Sequence, residues 1–251
     1  MALLTLNFPS EALHRLVSLN VILPDPKKQR EGYPTLYLLH GLSGDHTSWC
    51  RQSAIERYAA AYGIAVVMPD ADRSWYADTA YGAAYFTFLT EELPRVCQGY
   101  FKGMSPRRED NAIAGLSMGG YGALKAAILC PERYSHAASL SGSLDITRRG
   151  RPYSLELWRG NFGFDLPSAE ALRGRDVDLF SATRRAVADG KTLPGLFIWC
   201  GTEDSLLAVN RDYRDLLTEL GVEHAYAESE GDHSWRWWDL HIRDVLGWMY
   251  E

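Results

Sequence analysis

Apolar runs of strand length recur along the chain at residues 14–23, 35–40, 64–69, 112–116, 136–140, 196–200 and 224–228. Between most of them lie stretches with apolar residues at three- and four-residue spacing, at 53–62, 83–98, 119–129, 206–220 and 235–249, which predict helices. A strand that is apolar on both faces has no side to give to water. Alternation of such strands with helices therefore predicts a largely parallel α/β sheet covered on both faces. The first residues, Met1-Ala2-Leu3-Leu4-Thr5-Leu6-Asn7-Phe8, alternate and lead to the 14–23 run without an intervening helix, so the N-terminal edge is expected to be an antiparallel hairpin. A chain of 251 residues can bury one full core around such a sheet, which predicts a single domain over 1–251. Residues 143–190 carry Gly, Arg and Asp without clear periodicity and read as an insertion that shapes the pocket.

Several function classes are disfavoured by composition. A formal charge of -6 gives no general attraction to phosphate backbones, so no nucleic-acid partner is expected. The short basic runs at 148–151 and 184–185 read as solvated loop and helix faces. No window has the roughly 18 consecutive apolar residues of a membrane span, and the first residues lack a basic leader, so a soluble cytoplasmic protein is expected. The four cysteines, at 50, 97, 130 and 200, have no C-x-x-C spacing and suggest neither a zinc knuckle nor a redox pair.

The most specific motif is Gly115-Leu116-Ser117-Met118-Gly119, a G-x-S-x-G pattern with an apolar strand before it and a helical pattern after it. A serine in a tight strand-to-helix turn has its hydroxyl pushed into the site, and the flanking glycines let neighbouring chain pass close by. That context favours a nucleophile over a Gly-rich turn without chemistry. Among seven histidines, His233 in Gly231-Asp232-His233-Ser234-Trp235 follows the last strand, where the base falls in the chain order Ser, acid, His. Asp204, just past the 196–200 strand, is the favoured acid. Glu203 and Asp232 are its rivals, the first more readily a solvated loop residue and the second too near His233 to bend back onto its ring. An oxyanion hole needs two N–H donors, assigned to Met118 after the nucleophile and to Leu42 in the loop His40-Gly41-Leu42-Ser43-Gly44. His40 there is expected to anchor the loop and not to carry protons. Trp49, Trp75, Tyr76 and Trp158 lie near strand ends and are the expected walls of the acyl pocket, with a packing role the alternative for each.

At these residues the chain resembles the esterase D family, which includes S-formylglutathione hydrolases, and within it the bacterial tributyrin-esterase branch. The matching segments include Tyr37-Leu38-Leu39-His40-Gly41-Leu42-Ser43-Gly44, Trp75-Tyr76-Ala77-Asp78-Thr79, Ala114-Gly115-Leu116-Ser117-Met118-Gly119-Gly120-Tyr121-Gly122, Leu157-Trp158-Arg159-Gly160 and Trp199-Cys200-Gly201, spread over nearly the whole chain. The resemblance implies an α/β-hydrolase fold and hydrolysis of short acyl esters, acetyl to butyryl, with acetyl or cinnamoyl esters of carbohydrates as a variant. It also implies self-association into a homo-oligomer. No metal or organic cofactor is required by this chemistry. His40-Gly41 departs from the usual S-formylglutathione hydrolase oxyanion loop, which makes glutathione thioesters a secondary expectation, beside acyl transfer by the same triad.

Overall fold

The computed structural model of the chain describes residues 1–25, 32–148 and 155–251. Within them, β1 (Ala2–Ser10), β2 (Arg15–Leu23), β3 (Thr35–Leu39), β4 (Ala65–Pro69), β5 (Asn111–Leu116), β6 (His136–Leu140), β7 (Gly195–Gly201) and β8 (Ala225–Ser229) form one sheet in the order β1-β2-β4-β3-β5-β6-β7-β8. β1 pairs antiparallel with β2, and β2 antiparallel with β4. Every pairing beyond β4 is parallel. This is the α/β-hydrolase arrangement, with the antiparallel N-terminal edge that the sequence implied.

The helices are α1 (Ser48–Gln52), α2 (Ile55–Tyr62), α3 (Tyr85–Thr87), α4 (Leu93–Tyr100), α5 (Met118–Leu129), α6 (Leu155–Phe162), α7 (Leu179–Ala188), α8 (Leu207–Glu219) and α9 (Trp235–Tyr250). Successive strand residues point to opposite faces, which divides the core into two layers. On one face Leu39, Ile113, Ala137 and Ile198 pack with Leu124, Ala182 and Tyr213 from α5, α7 and α8. On the other, Leu38, Ala114, Ala138 and Trp199 pack with Ile55 of α2 and with Ile242 and Leu246 of α9. The parallel strands all end on one side of the sheet, so the loops after β3, β5, β7 and β8 meet there.

Three elements differ from their sequence outline, each for a local reason. The 53–62 helix begins two residues late, at Ile55, and a short helix the sequence outline lacked, α1, precedes it: the Ser53 hydroxyl donates to Trp49 O at the end of α1, and Asp239 accepts from the Ala54 N–H to open α2. The 83–98 helix survives Pro94 because a wider π turn, Phe88–Glu92, ends just before it. Pro94 then sits in the first turn of α4, where a missing N–H costs nothing. Residues 143–190 contain α6 and α7. α7 opens on Asp178, which accepts from the Ser181 N–H, and buries Leu179, Ala182, Thr183 and Ala186. Arg184 and Arg185 on α7 are solvated as expected and pair with Glu219 and Asp176, while positions 149–151 of the other basic run lie outside the described residues. Among the described residues no helix is long and apolar enough to cross a membrane.

Candidate active site

Ser117 joins β5 to α5 with φ 53° and ψ -116°, a left-handed backbone that a residue with a Cβ adopts only when its surroundings fix it. Those surroundings are explicit. Its N–H donates to Leu140 O, and its carbonyl accepts from the Tyr121 and Ser143 N–H groups. A Cβ on Gly115 would lie 2.5 Å from the Gly119 carbonyl, and one on Gly119 would lie 2.5 Å from Leu39 O, so the turn closes only with both glycines. Ser117 itself is 6% exposed.

The loop after β8 brings His233 to this serine, with Nε2 3.0 Å from Ser117 Oγ and Nδ1 2.8 Å from Asp204 Oδ2. A carboxylate can only accept, so Nδ1 carries the proton and the Nε2 lone pair faces the serine hydroxyl. Asp204 follows β7, and its side chain is fully buried. Its other oxygen accepts from the Leu206 N–H at 2.8 Å. Burial pushes the Asp204 carboxyl up, but hydrogen bonding to His233, the attraction between the two and the Leu206 N–H outweigh it, so it lies below the usual carboxylate range. The rival acids are engaged elsewhere, Glu203 with the Gly231 N–H and Asp232 with the Ser234 hydroxyl.

The loop after β3 lies against Ser117, where a Cβ on Gly41 would be 3.5 Å from Ser117 Cβ. His40 is buried beneath it. The Ala71 N–H donates to His40 Nε2 at 3.0 Å, which leaves Nδ1 to carry the proton and donate to Gly41 O at 2.7 Å. Burial holds this imidazole below its ordinary range, so the neutral form fits both contacts. The Gly44 N–H also donates to Gly41 O. Because the peptide is planar and trans, a carbonyl held on one side sends the Leu42 N–H to the other. The Met118 N–H is at the first position of α5, where a helix leaves N–H groups without internal partners.

A cleft of about 640 Å³ opens over Ser117 and His233. Its walls are the 41–45 loop, Ser48, Arg51 and Gln52 of α1, and Trp235 and Trp238 at the start of α9. Trp49, Trp75, Tyr76 and Trp158 are not among them. All four are buried core residues. Trp49 Nε1 donates to Leu39 O, the Tyr76 hydroxyl donates to His40 O, and Trp75 packs edge-on against Trp158 at 4.9 Å and Tyr121 at 5.8 Å. Trp75 and Tyr76 have φ of 55° and 48°, a turn that folds both rings inward. The described part of 143–190 likewise lines none of this cleft. Trp235 and Trp238 went unassigned although their three-residue spacing right after His233 puts them on one helix face beside it; the His233 and Trp238 rings meet edge-on at 4.9 Å.

A strained serine at a strand-to-helix elbow, hydrogen-bonded through a histidine to a buried aspartate in an α/β-hydrolase sheet, is the arrangement of a serine hydrolase. The Esterase family model matches residues 10–249, and the chain belongs to that family. An acetyl esterase of Caldicellulosiruptor saccharolyticus is 32% identical over 99% of this chain and 98% of its own. Among solved structures, the Staphylococcus aureus fluorophosphonate-binding serine hydrolase F superposes with a TM-score of 0.90 at 33% identity, covering 100% of this chain and 98% of that one. An S-formylglutathione hydrolase, also of Staphylococcus aureus, superposes at 0.87 and 33% identity, covering 100% and 99%. Family and relatives together make the chain a serine carboxylesterase.

Proposed function

We propose that the protein hydrolyses short-chain acyl esters, acetyl to butyryl, through an acyl-enzyme on Ser117. His233 Nε2 takes the hydroxyl proton as Ser117 attacks the ester carbonyl. The Leu42 and Met118 N–H groups receive the developing oxyanion. His233 then protonates the leaving alcohol and activates the water that releases the acid, while Asp204 holds the tautomer and stabilises the imidazolium. The observation that carries this reading is the unbroken line of hydrogen bonds Asp204–His233–Ser117 at 2.8 and 3.0 Å.

A short acyl group is supported by the related acetyl esterase. The alcohol side is the open cleft, where the His233 side chain is 35% exposed and Trp235 and Trp238 form an aromatic wall suited to a sugar face or an aryl group. kcat/KM measured across linear acyl esters should be highest from acetyl to butyryl and fall abruptly beyond. A chain meeting a closed wall incurs about 1 to 3 kcal/mol of strain, whereas each methylene that fits contributes about 0.8 kcal/mol. A smooth rise to decanoyl esters would contradict the reading. The four free cysteines suit a reducing cytoplasm. We also propose a homo-oligomer joined through the outer edge of β1, which pairs with no further strand among the described residues, carries no charge from Ala2 to Ser10 and exposes Leu3.

A further inference from the structure

Glu203 precedes Asp204 in the chain, yet its carboxylate is turned toward the histidine loop and not toward the histidine ring. The β7–β8 ladder closes at Gly201 and Ser229, where the Thr202 N–H donates to Ser229 O at 2.8 Å. Past that point one residue holds both main-chain groups of Gly231. The Glu203 N–H donates to Gly231 O at 3.0 Å, and Glu203 Oε2 accepts from the Gly231 N–H at 2.6 Å. The Thr202 hydroxyl donates to Oε1 at 2.8 Å, so both carboxylate oxygens are engaged and the group is oriented. The Gly231 N–H contact is the main cause that holds the Glu203 carboxyl below its usual range, so it is ionised at neutral pH. A Cβ on Gly201 would collide with the Gly231 carbonyl, which means the two loops meet backbone to backbone. This contact lies one residue before Asp204 and two before His233.

We propose that Glu203 is a positioning residue: by holding the Gly231 N–H it fixes the loop that carries His233, and with it the spacing of His233 from both Asp204 and Ser117. The inference rests on His233 being the base of the esterase reaction. Proton transfer needs about 2.6 to 3.2 Å between heavy atoms, and the 3.0 Å from Nε2 to Ser117 Oγ leaves little room for drift. Released from Glu203, Gly231 would have one main-chain bond left to this loop, and the ring would sample positions too far from the hydroxyl. Glu203 touches neither the serine nor the cleft, so its effect should fall on kcat and not on KM.

The test compares Glu203→Ala, Glu203→Gln, Glu203→Asp and His233→Ala in full-length protein with p-nitrophenyl acetate, alongside the low-field proton resonance of the histidine Nδ1–H. Glu203→Gln keeps an oxygen that can accept from the Gly231 N–H and should retain kcat within about threefold. Glu203→Asp keeps the charge but is one methylene short of that N–H, and with Glu203→Ala should lose at least about tenfold in kcat, with KM within twofold and the low-field resonance broadened. Wild-type kcat in Glu203→Ala, or a pattern in which Asp is active and Gln is not, would overturn the proposal, the latter by showing that charge and not placement matters. His233→Ala separates the two levels. If it keeps wild-type activity the base assignment falls, whereas an inactive His233→Ala beside a fully active Glu203→Ala removes only the role of Glu203.

Discussion

Lys125 shows how far a single side chain in this fold is committed to placement. It lies on α5 with 2% exposure, and its ammonium donates to Tyr76 O at 2.7 Å between the rings of Phe86 and Tyr121. Burial pushes its pKa down to about 7, against partial opposition from Asp78 and Asp176. The unfolded chain holds that proton to about 10.5, so between pH 7 and 10.5 the unfolded state binds more protons and stability should rise with pH. The contribution is complete above the unfolded value and is lost as pH falls through 7. Urea unfolding of wild type and Lys125→Met at pH 7, 8, 9 and 10 checks this. The difference between them should grow steadily in favour of the wild type, and a difference that does not change with pH would contradict the assigned titration. Ser117, Asp204 and His233, which the structure joins by hydrogen bonds, were legible as a group because each sits in a short local motif whose place in the chain order points to it. The pocket aromatics were not, since nothing local announces the left-handed backbone at Trp75 and Tyr76 that turns them into the core.

Among the elements, the loop after β3 matters most, because its shape is set by a residue buried beneath it. His40 holds the Gly41–Leu42 peptide by one hydrogen bond to Gly41 O, its ring is anchored by the Ala71 N–H, and the Tyr76 hydroxyl donates to the His40 carbonyl at 2.9 Å. Replacing His40 by Ala removes the hold on Gly41 O from the side chain. Loss of one oxyanion donor costs about 100- to 1000-fold in kcat, so His40→Ala should fall toward that range with KM little changed. Steady-state kinetics decide it: kcat within threefold of wild type would mean that the Gly44 N–H alone orients the peptide. His40 was readable as an anchor from its place before Gly41. Helix α7 was not readable, because its buried stripe is made partly of Ala182, Thr183 and Ala186, which carry little hydropathy signal, and Arg184 and Arg185 interrupt it. The π turn before Pro94 has no sequence marker beyond the proline itself.

At the scale of the whole molecule the sheet has two edge strands, β1 and β8. On β8 the Arg211 guanidinium donates to both oxygens of Glu228, whereas β1 carries no charge from Ala2 to Ser10. Replacing Leu3 by Lys on that edge should shift the protein to a smaller species in sedimentation or light scattering without altering turnover per site. A monomeric wild type would remove the oligomeric proposal and leave the chemistry untouched. The overall architecture followed from the sequence because apolar strands and amphipathic helices alternate at their own periods, the pattern that a largely parallel sheet covered on both faces accommodates.

The central claim, that Ser117 is the nucleophile of an ester hydrolase, is tested most directly by locating the covalent adduct. The folded protein, inactivated with a fluorophosphonate, would be digested and its peptides sequenced by mass spectrometry, in parallel with Ser117→Ala. One phosphonyl group on Ser117, no labelling of Ser117→Ala, and a loss of about five to six powers of ten in ester turnover by that variant are the expected results. Labelling at another residue, or turnover by Ser117→Ala within tenfold of wild type, would contradict it.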